Sequence, residues 1–176
     1  MCRACAGGFL EVVEVIVLNV NVVCVGRLKE KYWRDACAEY SKRLGGFCSF
    51  NIIETDEEKL PDSPSDAQIK NTIEKEGQRI LSKIPKTSKI IAMCIEGKQK
   101  SSRGLAEEIT KLALDGCSSI SFVIGGSWGL SDEVKNAAYL RMSMSEMTFP
   151  HQLARVMICE QIYRAFQINS GGKYHK

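Results

Sequence analysis

The segment best suited to bind a ligand is 120–133, where an apolar run ends in paired glycines and a helix start follows. Gly125 and Gly126 have no side chains, so a ligand at the end of this strand can lie directly against backbone N–H and C=O groups. Ser131 is a good N-cap, and the two acidic residues after it suit the positive end of a helix dipole. The segment predicts a cofactor pocket at a sheet edge; a tight turn without a ligand is the alternative.

A second group of reactive side chains lies in the last 26 residues of the chain. His151 and Arg155 are four residues apart, so they share one face of a predicted helix. An imidazole can move protons near neutral pH, and a guanidinium can hold a phosphate or an imide oxygen. Tyr174 and His175, followed by Lys176, can stack on and grip an unpaired base. The same types also suit a helix cap, a surface arginine and a frayed terminus.

Three loops are expected to meet the glycine edge, because the carboxyl ends of parallel strands share one side of a sheet. They are residues 96–98, the Gly125-Gly126 pair and residues 145–150. Apolar side chains in and beside these loops are suited to packing against an adenine ring: Met93, Met147 and Phe149.

The sequence lacks the motifs of several common nucleotide-binding and metal-binding sites, which excludes those sites. Ile124 stands where the first glycine of a dinucleotide fingerprint belongs, and no Gly-Lys-Ser/Thr of a P-loop follows. The chain has eight cysteines, but Cys2 and Cys5 form the single C-x-x-C, with no second pair at metal-ligand spacing. We therefore expect no metal, and free thiols in a reducing compartment, which favours the cytoplasm.

The charge of the chain is modest but unevenly placed. The formal net charge is +3, and all of that excess lies in residues 151–176. A basic end can contact phosphates, or it can be a solvated tail. No apolar run is long enough for a membrane span, and the first 16 residues lack the features of a signal peptide.

The apolar spacing predicts strands that alternate with helices, which is typical of an α/β protein with a parallel sheet. The helix at 151–166 is apolar on more than one side, so a subunit interface is expected beside the core. Strands are predicted at 12–25 (most securely 20–25), 47–54, 89–95, 119–124 and 139–144. Helices are predicted at 28–44, from a capping box at 65–68 to the residue before Pro85, and at 102–114, 132–138 and 151–166.

Taken together, these segments resemble the ribosomal large-subunit methyltransferase H family, RlmH, of the SPOUT methyltransferases. The resemblance runs from about residue 19 to residue 176. It is carried by VGRLKEKY at 25–32, IEGK at 95–98, FVIGGSWGLSDE at 122–133, MTFPHQL at 147–153, EQIYRAF at 160–166 and YHK at 174–176. We expect residues 19–176 to form a single SPOUT domain. Residues 1–18 are then an extra leader, either disordered or preceding a translation start near Val17 or Leu18.

The resemblance implies a parallel α/β fold with a C-terminal trefoil knot, a homodimer, and S-adenosylmethionine as the methyl donor. It also implies a substrate, the N3 atom of a pseudouridine in helix 69 of 23S rRNA in the 70S ribosome. A SPOUT enzyme acting on tRNA and a catalytically silent dimeric RNA-binding module are the alternatives. The residues expected to contact the donor are Met93, Gly125, Gly126, Met144, Ser145, Glu146, Met147, Thr148 and Phe149.

Methyl transfer to an imide nitrogen requires the loss of its proton, and therefore a base or a group that stabilises the anion. Our hypothesis gives this task to His151 or His175. Arg155 then anchors the nucleotide, and Tyr174 positions it.

Overall fold

The computed structural model describes residues 17–175 of the chain. Predictions for the leader, including the early part of the first strand and the C-x-x-C of Cys2 and Cys5, lie outside these residues. The strands are β1 (Asn19–Val25), β2 (Ser49–Thr55), β3 (Lys89–Gln99), β4 (Ser119–Ile124) and β5 (Leu140–Ser143). The helices are α1 (Lys31–Leu44), α2 (Asp66–Lys83), α3 (Ser102–Leu114), α4 (Asp132–Ala137) and α5 (His151–Asn169), followed by a 3-10 turn, Lys173–His175.

The five strands form one sheet in the order β2-β1-β4-β3-β5, and every neighbouring pair is parallel. Helices α1, α3 and α5 pack together on one face of the sheet, and α2 and α4 pack on the other. Strand β4 lies in the middle and is buried along its whole length. The predicted α/β architecture with a parallel sheet covered on both faces is therefore confirmed. None of the described helices has the length and apolarity that a membrane span requires.

Short-range sequence signals predicted most of the helix and strand ends to within a few residues. The Ser65 side chain accepts from the backbone N–H of Gln68, whose own side chain accepts from the Ser65 N–H, so the predicted capping box opens α2. The first helix begins at Lys31 rather than at residue 28. Leu28 is buried before the helix starts, and its N–H donates to the Glu54 carboxylate instead of continuing a helix.

Strand β3 is four residues longer than predicted because it contains a bulge. Its pairing with β5 shifts between Met93 and Lys98, and Met142 is the partner on both sides of the shift. A Cβ on Gly97 would lie 2.6 Å from the backbone carbon of Met142, so only glycine lets the two strands approach this closely. Residues 94–97 of the bulge therefore have no pairing partner in β5.

A buried guanidinium ties α5 to the end of the sheet. Arg155 is fully buried, and it donates to Glu54 Oε1 at 2.5 Å and to the carbonyl oxygens of Gly26 and Val25 at 2.9 and 3.3 Å. Its Nε–H has no acceptor among the described residues. The first turn of α5 is thereby fixed against the ends of β1 and β2.

We expect Glu54→Gln to destabilise the protein by roughly 3 kcal/mol, because it leaves a buried cation without its counter-charge. Urea unfolding measures the loss. The matched control is Glu39→Gln, which removes the same charge from an exposed pair with Arg43 and is expected to cost less than about 1 kcal/mol. Equal losses for the two variants would show that the Arg155–Glu54 pair does not hold the fold together.

Candidate active site

The candidate site lies at the carboxyl edge of the sheet. Strands β1 and β4 are neighbours, but the chain leaves β1 toward β2 and leaves β4 toward β5, in opposite directions across the sheet. Such a reversal leaves a crevice beyond the strand ends, which is where ligands bind in open parallel sheets. Gly26 directly follows β1, and Gly125 directly follows β4.

A cavity of about 770 Å³ opens along this edge from β4 toward β5. Its volume lies within the range of small-molecule sites. Its walls come from the bulge region of β3, the β4–α4 loop, α4, the end of β5, the β5–α5 loop and the first turn of α5. The lining residues are Met93, Cys94, Ile95, Glu96, residues 124–130, Lys135, residues 142–145, residues 147–151 and Ala154.

The glycines of the β4–α4 loop hold the cavity floor in shape. A Cβ on Gly125 would lie 2.3 Å from the carbonyl oxygen of Gly129, and Gly126 and Gly129 form an isolated bridge. Gly129 has a φ of +86°, a conformation that side chains disfavour. The loop therefore folds back on itself so tightly that backbone groups, not side chains, form this wall.

A buried carboxyl group supports the floor from below. Glu76 of α2 is 3% exposed, and its Oε2 atom would lie 2.9 Å from a Cβ on Gly126. Its Oε1 atom accepts the backbone N–H of Glu58 at 3.0 Å. Burial raises the pKa of Glu76, and the hydrogen bond from Glu58 opposes that rise. The sequence did not point to Glu76, because its position within a helical pattern does not show which loop it contacts in the folded chain.

The β3 bulge contributes an ion pair to the opposite wall. Glu96 accepts from Lys135 Nζ at 2.6 Å, and this interaction lowers the pKa of Glu96. Both residues line the cavity. The motif containing Glu96 was noted in the sequence, but Lys135 was not, because the two lie on different elements far apart in the chain.

The segment before α5 closes the cavity on its third side. Ser143 Oγ donates to the Ser145 carbonyl at 2.8 Å, and the Met147 N–H donates to Ser145 Oγ at 3.1 Å. The structure thus brings eight of the nine predicted donor residues around one cavity. Glu146 is the exception: it is exposed and does not line the wall. Contact of these residues with a donor stays a prediction.

His151 stands where the cavity meets the end of β1. The side chain is half-buried, and its Nε2 atom would lie 3.8 Å from a Cβ on Gly26. Burial is the main cause that lowers the pKa of His151; Glu57 opposes it and Arg155 adds to it. Burial therefore favours the neutral form of the imidazole, which is able to accept a proton.

The structure places Arg155 one helical turn from His151 but does not leave its guanidinium available to a substrate. Arg155 is sealed beneath α5 by its carbonyl and carboxylate partners, so its guanidinium is inaccessible to a nucleotide. The prediction that it anchors the substrate does not fit this burial, because helical spacing shows a shared face but not what covers it. In the described residues, Arg155 holds the fold rather than a ligand.

Tyr174 lies at the far end of α5. Its ring packs edge-on against Tyr163 with centroids 4.9 Å apart, and the Arg164 guanidinium lies 4.8 Å from the ring centre. Tyr163 is about 18 Å along the helix axis from His151 at 1.5 Å per residue. One chain therefore does not bring Tyr174 to its own His151. The His175 side chain lies outside what the structure describes.

No group of three or more histidine, cysteine or acidic side chains within residues 17–175 is arranged to hold a metal ion.

Comparison with known proteins agrees with this fold. A family model described as a predicted SPOUT methyltransferase matches residues 18–175. A solved structure of a probable methylase family protein from Haemophilus influenzae Rd KW20 superimposes with a TM-score of 0.51 at 13% identity, covering 90% of this chain and 71% of that one. At that identity the likeness concerns the fold alone. The sheet and the family match define a methyltransferase of the SPOUT class.

Curated relatives narrow the class further. The chain is 51% identical to ribosomal RNA large subunit methyltransferase H of Streptococcus thermophilus (strain CNRZ 1066) and 50% identical to that of Clostridium novyi (strain NT). Each alignment spans 159 residues, which is 90% of this chain and 100% of the relative. The chain belongs to the ribosomal RNA large subunit methyltransferase H family, so the resemblance found in the motifs is confirmed.

Proposed function

We propose that this protein transfers a methyl group from S-adenosylmethionine to the N3 atom of a pseudouridine in helix 69 of 23S rRNA, in the cytoplasm and on the assembled ribosome. The observation that carries the proposal is the cavity at the carboxyl edge of the sheet, with a half-buried histidine at its border. The choice of large-subunit rRNA as the substrate rests on the names of the relatives.

The cavity fits the donor chemically. Met93, Met142 and Phe149 give it apolar walls suited to an adenine ring, and the folded-back glycine loop offers backbone groups to the edge of that ring. A Cβ at Gly125 or Gly126 would approach the atoms around it too closely, so the sequence keeps this wall free of side chains. Bound there, the donor would supply a methyl group on a positively charged sulfur.

The residues of this chain then have two tasks. The cavity walls hold the reacting groups in line, and positioning of this kind supplies much of the rate in a transfer between two bound molecules. As the new N–C bond forms, the S–CH3 bond of the donor would break and release S-adenosylhomocysteine, while the imide N–H bond would break and its proton would pass to the His151 imidazole. Burial keeps the imidazole neutral beforehand.

We also propose that the working enzyme is a homodimer in which the tail of one subunit reaches the cavity of the other. Tyr174 lies too far from His151 of its own chain to share a substrate with it. Three large apolar side chains at the cavity are exposed, namely Ile95 (61%), Trp128 (49%) and Met147 (69%). An apolar rim of this kind is typical of a surface that a partner covers.

We expect purified enzyme to transfer a labelled methyl group from S-adenosylmethionine to 23S rRNA of 70S ribosomes that lack the modification, and not to tRNA. His151→Ala should reduce the rate by a factor on the order of 10² to 10⁴, because the imide proton loses its acceptor. Calorimetry should show that this variant still binds the donor. Gln152→Ala, one residue along and outside the cavity wall, is the control and should retain activity.

Three results would contradict the proposal. Label in tRNA would favour the other substrate class. Absence of both donor binding and transfer would favour a silent RNA-binding module. Full activity of His151→Ala would remove this histidine as the base.

The dimer is tested by combining two inactive variants. A heterodimer of His151→Ala with Tyr174→Ala, purified through two different tags, should recover about half of the wild-type activity, because one of its two sites keeps both residues when the tail acts on the partner. Each parent homodimer is the control and should be inactive. A heterodimer as inactive as its parents would show that the tail does not act across the dimer.

A further inference from the structure

A carboxylate that neither the motifs nor the family assignment singled out lies on the β2–α2 loop beside His151. Glu57 is exposed, but the backbone on either side of it is fixed. The Asp56 carbonyl accepts from Arg79 at 3.1 Å, and the Glu58 N–H donates to Glu76 at 3.0 Å. Arg79 also pairs with the Glu58 side chain. The loop therefore presents Glu57 from a well-defined position.

Glu57 and His151 both lie beside Gly26. A Cβ on Gly26 would lie 3.6 Å from Glu57 Oε2 and 3.8 Å from His151 Nε2, so both polar atoms border the same point. Gly26 is itself held in place, since its N–H donates to the Thr55 carbonyl at 2.9 Å and its carbonyl accepts from Arg155. Its φ of +78° disfavours any side chain there. The glycine keeps the space between the carboxylate and the imidazole open.

Among the charged groups near His151, Glu57 is the acidic group that affects the pKa of the imidazole most. From α5 itself, Arg155 opposes protonation of the imidazole, but its guanidinium is already paired with Glu54. On the far walls of the cavity, Glu96 and Lys135 are paired with each other. The pKa of His151 responds to burial first, to Glu57 second and to Arg155 third.

We propose that Glu57 is a positioning residue for the methyl transfer: from across Gly26 its charge favours the orientation in which Nε2 of His151 faces the sheet edge, and it keeps the half-buried imidazole a competent proton acceptor. The role rests on the proposed function, in which His151 removes the imide proton. Burial alone makes the imidazole a weak base, and a nearby carboxylate restores part of its basicity by stabilising the protonated form.

The coupling is measurable without any substrate, because the chain has only two histidines. Histidine-labelled protein is titrated by NMR, and the His175→Gln variant assigns the two signals. Glu57→Gln should lower the pKa of His151 by roughly half a unit or more, as expected for the loss of one charge a few ångströms away through a partly aqueous path. Asp56→Asn is the matched control: it removes the same charge from the adjacent residue, whose carboxylate faces Arg27. It should shift the pKa of His151 by less than about 0.2 units.

The second readout is the pH dependence of methyl transfer. A neutral base works above its pKa, so the acidic limb of the profile should move to lower pH in Glu57→Gln by the shift that NMR measures, and stay in place in Asp56→Asn. Equal NMR shifts in the two variants, or an unmoved acidic limb in an active Glu57→Gln enzyme, would overturn the proposal. If the wild-type protein transfers no methyl group, the proposed function fails, while the titration still shows whether Glu57 acts on His151.

Discussion

The site depends on the burial of one guanidinium. Arg155 reaches under α5 to the last carbonyls of β1 and to Glu54, and Glu54 also accepts the N–H of Leu28. This network joins two strand ends and the start of a helix at one point. Since His151 lies one helical turn before Arg155, fixing the arginine also fixes the histidine at the mouth of the crevice. A lysine could not replace this fork, because it offers a single compact charge instead of several directed N–H donors.

Around that fixed point, close backbone approach shapes the cavity. Gly97 lets β3 and β5 touch at the bulge, and Gly125 lets the β4–α4 loop fold back on itself. As a result, the β3 bulge and the loop after β4 form facing walls of the cavity. Gly26 leaves a passage from His151 to Glu57. An added Cβ would crowd backbone atoms at Gly97 and Gly125, and the positive φ of Gly26 disfavours a side chain there.

The features that could be predicted from the sequence are those determined by residues close together in the chain. The capping box at Ser65 and the run of β4 depend on short-range hydrogen bonds and apolar patterning, and both lie where the pattern indicated. The glycine edge and the loop before α5 were predicted to meet because parallel strands end on the same side. The extension of β3 could not be predicted, because it depends on pairing with a strand more than forty residues later.

Dependence on contacts between distant residues also explains which features of the candidate site could not be predicted. Arg155 matched a pattern suited to phosphate binding, yet its partner Glu54 stands 101 residues earlier and makes it structural. Glu57, Glu76 and Lys135 carry no motif, and only the folded chain brings them to His151, Gly126 and Glu96. Charge pairing between distant elements therefore decides which reactive side chains stay available for chemistry. Local spacing alone could not distinguish the available His151 from the buried arginine four residues later.

We propose that the crevice beyond β4 is the methyl-donor site, with His151 at its border. A crystal structure of the protein with S-adenosylhomocysteine tests this most directly. We expect the nucleoside between Met93, Gly126 and residues 144–149, with the sulfur directed toward the side of the cavity that His151 borders. A nucleoside bound elsewhere, or a cavity filled by the protein's own side chains at saturating ligand, would contradict it.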